Sequence, residues 1–351
     1  MKKEFQDELA LDVKLKMKKN LVYVSIFSIV MIFAGFTSAY LVSMGDSFWL
    51  KYTLPVHFWL STLSIVLSSV FYILAIYFMK KNKIALLRFN MVITLFLGVL
   101  FVFFQMKGYK ELDRLGANAK NPIMVSEGLY GDDFEISYLN QFIEVDGNKY
   151  LLNNKVLNQK QLNELKEFMS KFNLIANKNQ IVKLENDSRF QLYHKGKPLV
   201  FQNNTIQTID GAMLKYIDLK KLQYLAWNIR DGRGDFFFLG ELGKDFNIFY
   251  KGKQLEYKER NLYYNNRILS PFLQLKIKQS NDTASSYFYI ITFLHLIHVF
   301  FTLFYLIKMV SITFRSSLTV DNQISIKMGA IFWHFLGILW LYLLLFLIFI
   351  H

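Results

Sequence analysis

The chain alternates between two kinds of pattern. Five runs, 21–44, 57–79, 86–106, 287–310 and 329–350, are predominantly apolar and reach the roughly 20 helical residues needed to cross a hydrocarbon core of about 30 Å. Between the third and fourth runs the period shortens. "FIEVDGNKYLLNNKVL", "FQLYHKGKPLVFQNNTI" and "IFYKGKQLEYKERNLYYNNRIL" are aromatic and β-branched stretches broken by Asp-Gly, Lys-Gly and Asn-Asn, which are hairpin turn signals. The three share a loose theme of Gly, a basic residue and Leu or Tyr, then Asn-Asn before an aliphatic; this hints at a weak internal repeat, although hairpins of similar composition produce such matches by chance. One amphipathic helix is expected at "NQKQLNELKEFMSKF", where Leu162, Leu165, Phe168 and Met169 fall on one stripe. The pattern predicts a membrane all-α protein of five transmembrane helices with an inserted, strand-rich α+β domain. Its divisions are a basic arm (1–20), three helices (21–106), the inserted domain (107–285) and two helices (286–351).

The first run is no cleavable signal, because a charge-rich arm of 20 residues precedes it and it is longer than a signal core. Basic residues in short loops stay on the cytoplasmic side. Lys2, Lys3, Lys14, Lys16, Lys18 and Lys19 precede the first run; Lys80, Lys81, Lys83 and Arg88 follow the second; Lys308, Arg315 and Lys327 lie around the fourth-to-fifth loop. The loop "GDSFWLKYTLPV" has one lysine. The expected topology therefore puts the N terminus in the cytoplasm, and the inserted domain and C terminus on the outer face.

Composition agrees with a membrane protein: 53% of residues are hydrophobic and only four are proline. The net charge of +14 raises the question of nucleic acid, but the inserted domain mixes 27 Lys and Arg with 21 Asp and Glu, an ordinary solvated surface, so no nucleic-acid partner is expected. The absence of cysteine excludes disulfides, thiolate metal sites and iron-sulfur clusters.

Ionisable residues inside a membrane span are functional candidates by default. In "ITFLHLIHVF", His295 and His298 share a helix face, so they cannot be opposed axial ligands of one haem. A haem needs a partner from another helix, His57 or His334, and both lie at a different depth from His298. The spans hold no Asp, Glu or Cys to complete a metal site or a proton relay. The favoured reading is a histidine bonded to a carbonyl or hydroxyl in a helix interface. The alternative is a haem b membrane anchor using His298, or His295, with His334. In "RDGRGDFFFLGELG", Asp231, Asp235 and Glu241 read as a solvated turn, since their spacing does not fit a calcium loop. The tripeptides "NDS" and "NDT" match a glycosylation sequon that matters only in a secretory pathway.

The spans together resemble the five-helix bacterial form of cytochrome c oxidase subunit III. "FAGFTSAYLV" carries Gly35 and Tyr40; "LPVHFWLSTLSIVLSS" carries Pro55, Trp59, Thr62 and Ser68; "LFLGVLFVFFQMKGYKEL" carries Gly98, Gln105 and Gly108. "SSYFYIITFLHLIHVF" holds the His295 and His298 pair, and "FWHFLGILWLYL" holds Trp333, His334 and Trp340. The resemblance covers the membrane half and leaves 120–280 aside; the family has a short connection there. Three departures stand out: Ile29 replaces a membrane glutamate, Gly337 replaces an aspartate, and Phe293, Leu296 and Thr302 replace glycines.

The resemblance implies a subunit of a proton-pumping oxidase that reduces oxygen to water, with cytochrome c or quinol as donor. The chain itself is expected to carry no catalytic residue, haem, copper or other metal, these belonging to partner subunits. It is expected to pack against subunits I and II, bind phospholipid and stabilise the respiratory complex in a bacterial inner membrane, with the domain periplasmic. The candidate packing and lipid residues are Gly35, Tyr40, Pro55, Trp59, Thr62, Ser68, Gln105, His295, His298, Trp333, His334 and Trp340. Residues 120–280 are expected to contact cytochrome c or a neighbouring respiratory complex.

Overall fold

The structure, a computed structural model, describes residues 11–177, 186–202, 205–315 and 318–350. Lys2, Lys3 and the side chain of Lys14 lie outside the described part. In chain order the elements begin with α1 (Leu11–Asp46), β1 (Phe48–Tyr52), α2 (Val56–Lys80) and α3 (Ile84–Leu115). Next come β2 (Phe134–Tyr138), β3 (Gln141–Asp146), β4 (Lys149–Leu152), β5 (Lys155–Val156) and α4 (Gln159–Ser170). They are followed by β6 (Phe190–His194), β7 (Lys197–Gln202), β8 (Thr205–Thr208) and α5 (Tyr216–Asp231). The chain continues with β9 (Phe246–Tyr250), β10 (Lys253–Gln254), β11 (Glu256–Lys258), β12 (Asn261–Tyr264), β13 (Arg267–Ile268) and α6 (Pro271–Gln279), and ends in α7 (Thr283–Thr313) and α8 (Val320–Phe349).

Two compact units divide these elements. One holds Met1–Ser43, Thr53–Arg114 and Ala284–His351; the other holds Met44–Tyr52 and Leu115–Thr283. In the first unit α1, α2, α3, α7 and α8 are each long and apolar enough to cross a membrane, the mark of a multi-pass membrane protein. On α2 the buried residues Phe58, Ser61, Ile65, Ser68, Tyr72, Ala75 and Met79 recur at three- and four-residue steps, while Trp59, Leu63, Val66, Val70 and Ile73 on other faces are exposed. The inward stripe is thus the more polar one, as expected when the surroundings are as apolar as Leu. Helix α3 continues beyond 106 because its next turns still bury Gly108, Tyr109 and Leu112. Close approach depends on small residues: a Cβ on Gly98 would lie 2.7 Å from the Trp333 ring, and one on Gly108 would lie 2.8 Å from the Phe58 ring.

The second unit is built from a repeat that chance does not explain. Phe134, Phe190 and Phe246 open β2, β6 and β9 at intervals of 56 residues. In the first and third repeats the opening strand is followed by the same succession of hairpins and then by a helix; in the second, β7 and β8 lead to α5. The first turn has two left-handed residues in every case: Leu139 and Asn140, Lys195 and Gly196, Lys251 and Gly252. Such φ pairs match the right-handed twist of the flanking strands. The third turn is Asn153-Asn154 in the first repeat and Asn265-Asn266 in the last, again all at positive φ. Leu157 N–H then bonds Tyr150 C=O at 2.9 Å, and Leu269 N–H bonds Leu262 C=O at 2.9 Å. Helices α4 and α6 start at capping residues in matching places, Asn158 and Ser270. Strands β10 and β11 together stand where β3 stands, interrupted at Leu255.

The first two repeats join through β2 and β6 into a seven-stranded antiparallel sheet, β5-β4-β3-β2-β6-β7-β8. One core serves both repeats: Phe134, Ile136, Phe190 and Leu192 from the sheet meet Leu165, Phe168 and Phe172 from α4 and its exit, and Leu222, Leu225 and Ile229 from α5. The stripe expected on α4 is present, with Leu165, Phe168 and Met169 buried and Leu162 partly so. The third repeat pairs instead with β1, giving β1-β9-β10. The short connection between α1 and α2 is therefore a strand of the second unit.

The reading of "RDGRGDFFFLGELG" as a solvated turn does not hold for Asp235. Its side chain is 3% exposed and accepts from Arg260 Nη2 at 2.5 Å, Arg260 Nε at 3.1 Å and Tyr257 Oη at 2.6 Å. Asp231 pairs with Arg230 and Arg233, and Glu241 pairs with Lys149. Asn148 sits at the hairpin tip of the first repeat where Arg260 sits in the third. It accepts from the Gly234 and Phe236 N–H groups and donates to Phe238 C=O. Two equivalent tips thus clamp one segment.

Candidate functional site

Thr62, Ser68, Gln105, His295, Trp333 and Trp340, singled out in the spans, are joined by hydrogen bonds or ring contacts inside the helix bundle. Helix α8 supplies two tryptophans a little under two turns apart, and both indole N–H groups are used on α2: Trp333 donates to Ser68 Oγ at 3.0 Å and Trp340 donates to Thr62 Oγ1 at 2.8 Å. Ser68 passes its own proton to Thr94 C=O on α3 at 3.0 Å. Nearly two turns away on α2, Ser61 Oγ accepts from Gln105 Nε2 at 2.8 Å, joining α3 to α2. These donors are thus paired, as burial in an apolar medium requires, while Gln105 Oε1 is buried without a partner.

His295 is fully buried between Phe33, Phe101 and Trp340, whose ring centroids lie 5.4 to 6.5 Å from its own. Its Nε2 stands 3.0 Å from Leu336 C=O; since a carbonyl only accepts, Nε2 carries the proton. The ring fastens α7 to α8 and leaves Nδ1 as an acceptor facing the aromatic cage. His298 turns its Nδ1–H back to Leu294 C=O at 2.7 Å, so Nε2 holds the lone pair. It lines an apolar cavity of about 480 Å³ with Lys18, Leu21, Phe301, Thr302, Tyr305, Gly329 and Phe332. His334 belongs to other surroundings, its ring 6.0 Å from that of Tyr72. His57 is at the start of α2, where Nδ1 meets Glu111 Oε2 on α3 at 2.7 Å.

The remaining candidates divide into inward and outward residues. Tyr40 is fully buried against Tyr287 and Phe346. Pro55 precedes α2, and its carbonyl accepts from Phe58 N–H at 3.1 Å. Trp59 is 52% exposed, and a Cβ on Gly35 would meet nothing within 4 Å, so neither packs inside this chain. A Cβ on Gly337 would lie 3.3 Å from Ser69 Oγ. Ile29 is buried on α1.

Sequence reasoning missed Tyr72 and Tyr305, whose hydroxyls donate to Ile326 and Ser325 carbonyls on α8, and Tyr342, which donates to Thr37 on α1 at 3.1 Å. A phenol in an apolar span needs a partner, and that signal was available in the sequence. Compared with family models and with curated proteins, the chain matches none.

Proposed function

We propose that the chain is subunit III of a haem-copper terminal oxidase of the five-helix bacterial type, with a large outer domain inserted between its third and fourth membrane helices. The observation that carries the reading is the contact between motifs that lie far apart in sequence: Trp333 with Ser68, Trp340 with Thr62, Gln105 with Ser61, and His295 with the α8 backbone. Residues of one family signature have reason to recur together if they lock the same bundle, and these lock one.

The role proposed is packing, not chemistry. The indole and amide donors of Trp333, Trp340 and Gln105 bond to hydroxyls of α2, and the residues left facing outward, Trp59 and Gly35, offer surface to subunits I and II or to lipid. The cavity beside His298 has apolar walls and Lys18 among its lining, which suits an acyl chain with an anionic head group. Haems and copper belong to the partner subunits, and the assembly oxidises cytochrome c or quinol while reducing oxygen. Pairing of β1 with β9 supports the alternation of loops: the α1–α2 connection and the segment between α3 and α7 share one sheet, here taken as periplasmic at a bacterial inner membrane. The outer domain is proposed to meet cytochrome c or a neighbouring complex.

Purification of the tagged chain from its native membranes, with mass spectrometry of what accompanies it, tests the reading. The expected result is a haem-bearing catalytic subunit in the preparation and a colourless chain once separated from it. A chain that comes away alone with its own Soret band, lost in His298→Ala, replaces this reading with the haem b anchor.

A further inference from the structure

Four strands of the second unit carry the same five-residue pattern: Phe, any residue, Ile or Leu, any residue, then Tyr or His. They are "FWLKY" in β1, "FEISY" in β2, "FQLYH" in β6 and "FNIFY" in β9. They pair two by two, and in the same way. β2 lies antiparallel on β6 with Phe134 opposite His194, Ile136 opposite Leu192 and Tyr138 opposite Phe190. β1 lies antiparallel on β9 with Phe48 opposite Tyr250, Leu50 opposite Ile248 and Tyr52 opposite Phe246. Both ladders are centred on the middle aliphatic pair, and all four of those aliphatics are buried.

An antiparallel ladder centred on one position of a shared pattern is locally two-fold symmetric, so a strand that pairs this way with its like can pair in the same register with a second copy of itself. The register is well specified. Side chains alternate with a period of two, so a one-residue slip would turn Phe and the central aliphatic away from the buried face. The chain already contains like-with-like pairing between its first two repeats. For the third repeat no fourth repeat follows, and the place is filled by five residues from the α1–α2 connection.

We propose that β1 is a cap on a self-pairing edge. When β1 leaves β9, the exposed edge takes β9 of a second copy of this chain, antiparallel, with Ile248 opposite Ile248. An uncovered edge lined by aromatic and aliphatic side chains is a template for such pairing, and the pattern selects its own kind. The inference rests on the second unit alone and is independent of the oxidase reading.

The chain has no cysteine, so Ile248→Cys places its only thiol at the centre of the edge. Opposed Cα atoms in an antiparallel ladder are about 4.5 to 5.5 Å apart, within the range a disulfide spans. The full-length chain in mild detergent, under oxidising conditions, is expected to stay monomeric with β1 intact, because the thiol faces Leu50. Adding Lys51→Pro, which removes the ladder donor opposite Asn247 of β9, is expected to convert most of the chain to a disulfide-linked dimer. A second variant, Leu50→Ile beside Ile248→Cys, keeps the pattern and is expected to remain capped and monomeric. A synthetic peptide of residues 46–54, added to the unoxidised Lys51→Pro chain, is expected to prevent the dimer. The proposal is overturned if the Lys51→Pro chain stays monomeric with a protease-resistant domain, if its domain is digested without dimerising, or if the Leu50→Ile variant dimerises.

Discussion

The indole N–H of Trp333 ends on the hydroxyl of Ser68 at 3.0 Å, and that hydroxyl hands its proton to Thr94 C=O, so one serine ties α8, α2 and α3 together. Ser68→Ala leaves a buried indole donor without an acceptor. The expected cost is about 1 kcal/mol, the scale of a buried hydrogen bond within a membrane bundle. Thermal unfolding in detergent checks it, and in a double-mutant cycle with Trp333→Phe the two losses should not add.

In the second unit, Arg260→Leu strands the Asp235 carboxylate. Removing one partner of a buried pair costs roughly 3 to 5 kcal/mol, and the one-third exposure of Arg260 places the expectation at the lower end. Urea titration followed by protease resistance of the domain reads the effect. Asp235→Asn combined with Arg260→Leu should recover part of the loss, because no buried charge is then left alone.

His194, at the end of β6, packs its ring 4.8 Å from that of Phe134 and holds Nε2 at 3.6 Å from Asp218, beyond hydrogen-bond reach. Burial pulls its pKa below 6.5; Asp218 and Asp133 oppose the shift, while Lys195 and Lys221 reinforce it. The unfolded chain therefore takes the proton first. Stability from this group is complete above pH 6.5 and declines as the pH falls through 6.5 toward the lower folded value. The domain's unfolding temperature should drop on acidification over that window, and His194→Gln should abolish this component. Asp218→Asn lowers the folded pKa further and should carry the decline to lower pH.

Asn154 and Asn266 occupy the same turn position in two repeats, at φ of 62° and 60°. Either one changed to Ala should cost roughly 1 kcal/mol for the left-handed backbone, and either one changed to Gly should cost little. The two sites should respond alike in denaturant unfolding.

The membrane helices were legible because length and apolarity alone define them, and the hairpins because Asn-Asn, Lys-Gly and Asp-Gly mark turns. The repeat was undervalued: turn composition is shared by unrelated hairpins, whereas the even spacing of Phe134, Phe190 and Phe246 is not. Helix α5 went unnoticed although Leu222, Leu225, Ala226 and Ile229 recur on one stripe, since Lys and Gln between them lower the average apolarity. β1 could not be read locally. Five residues with one lysine look like a loop, and their strand character comes from partners at 246–250. Asp235 was misjudged for the same reason, because Arg260 lies one repeat later. Within the bundle, the interface reading fits His295 but not His298, which bonds Leu294 C=O on its own helix; the partner of His295, a backbone carbonyl on α8, leaves no mark in sequence.

The place of β1 also sets where the polypeptide can be cut. The shortest continuous stretch that contains all of the second unit runs from Met44 to Thr283, and α2 and α3 lie within it. The domain therefore cannot be released whole as a water-soluble fragment. Any cleavage that frees residues 115–283 from the membrane leaves the partner strand of β9 behind.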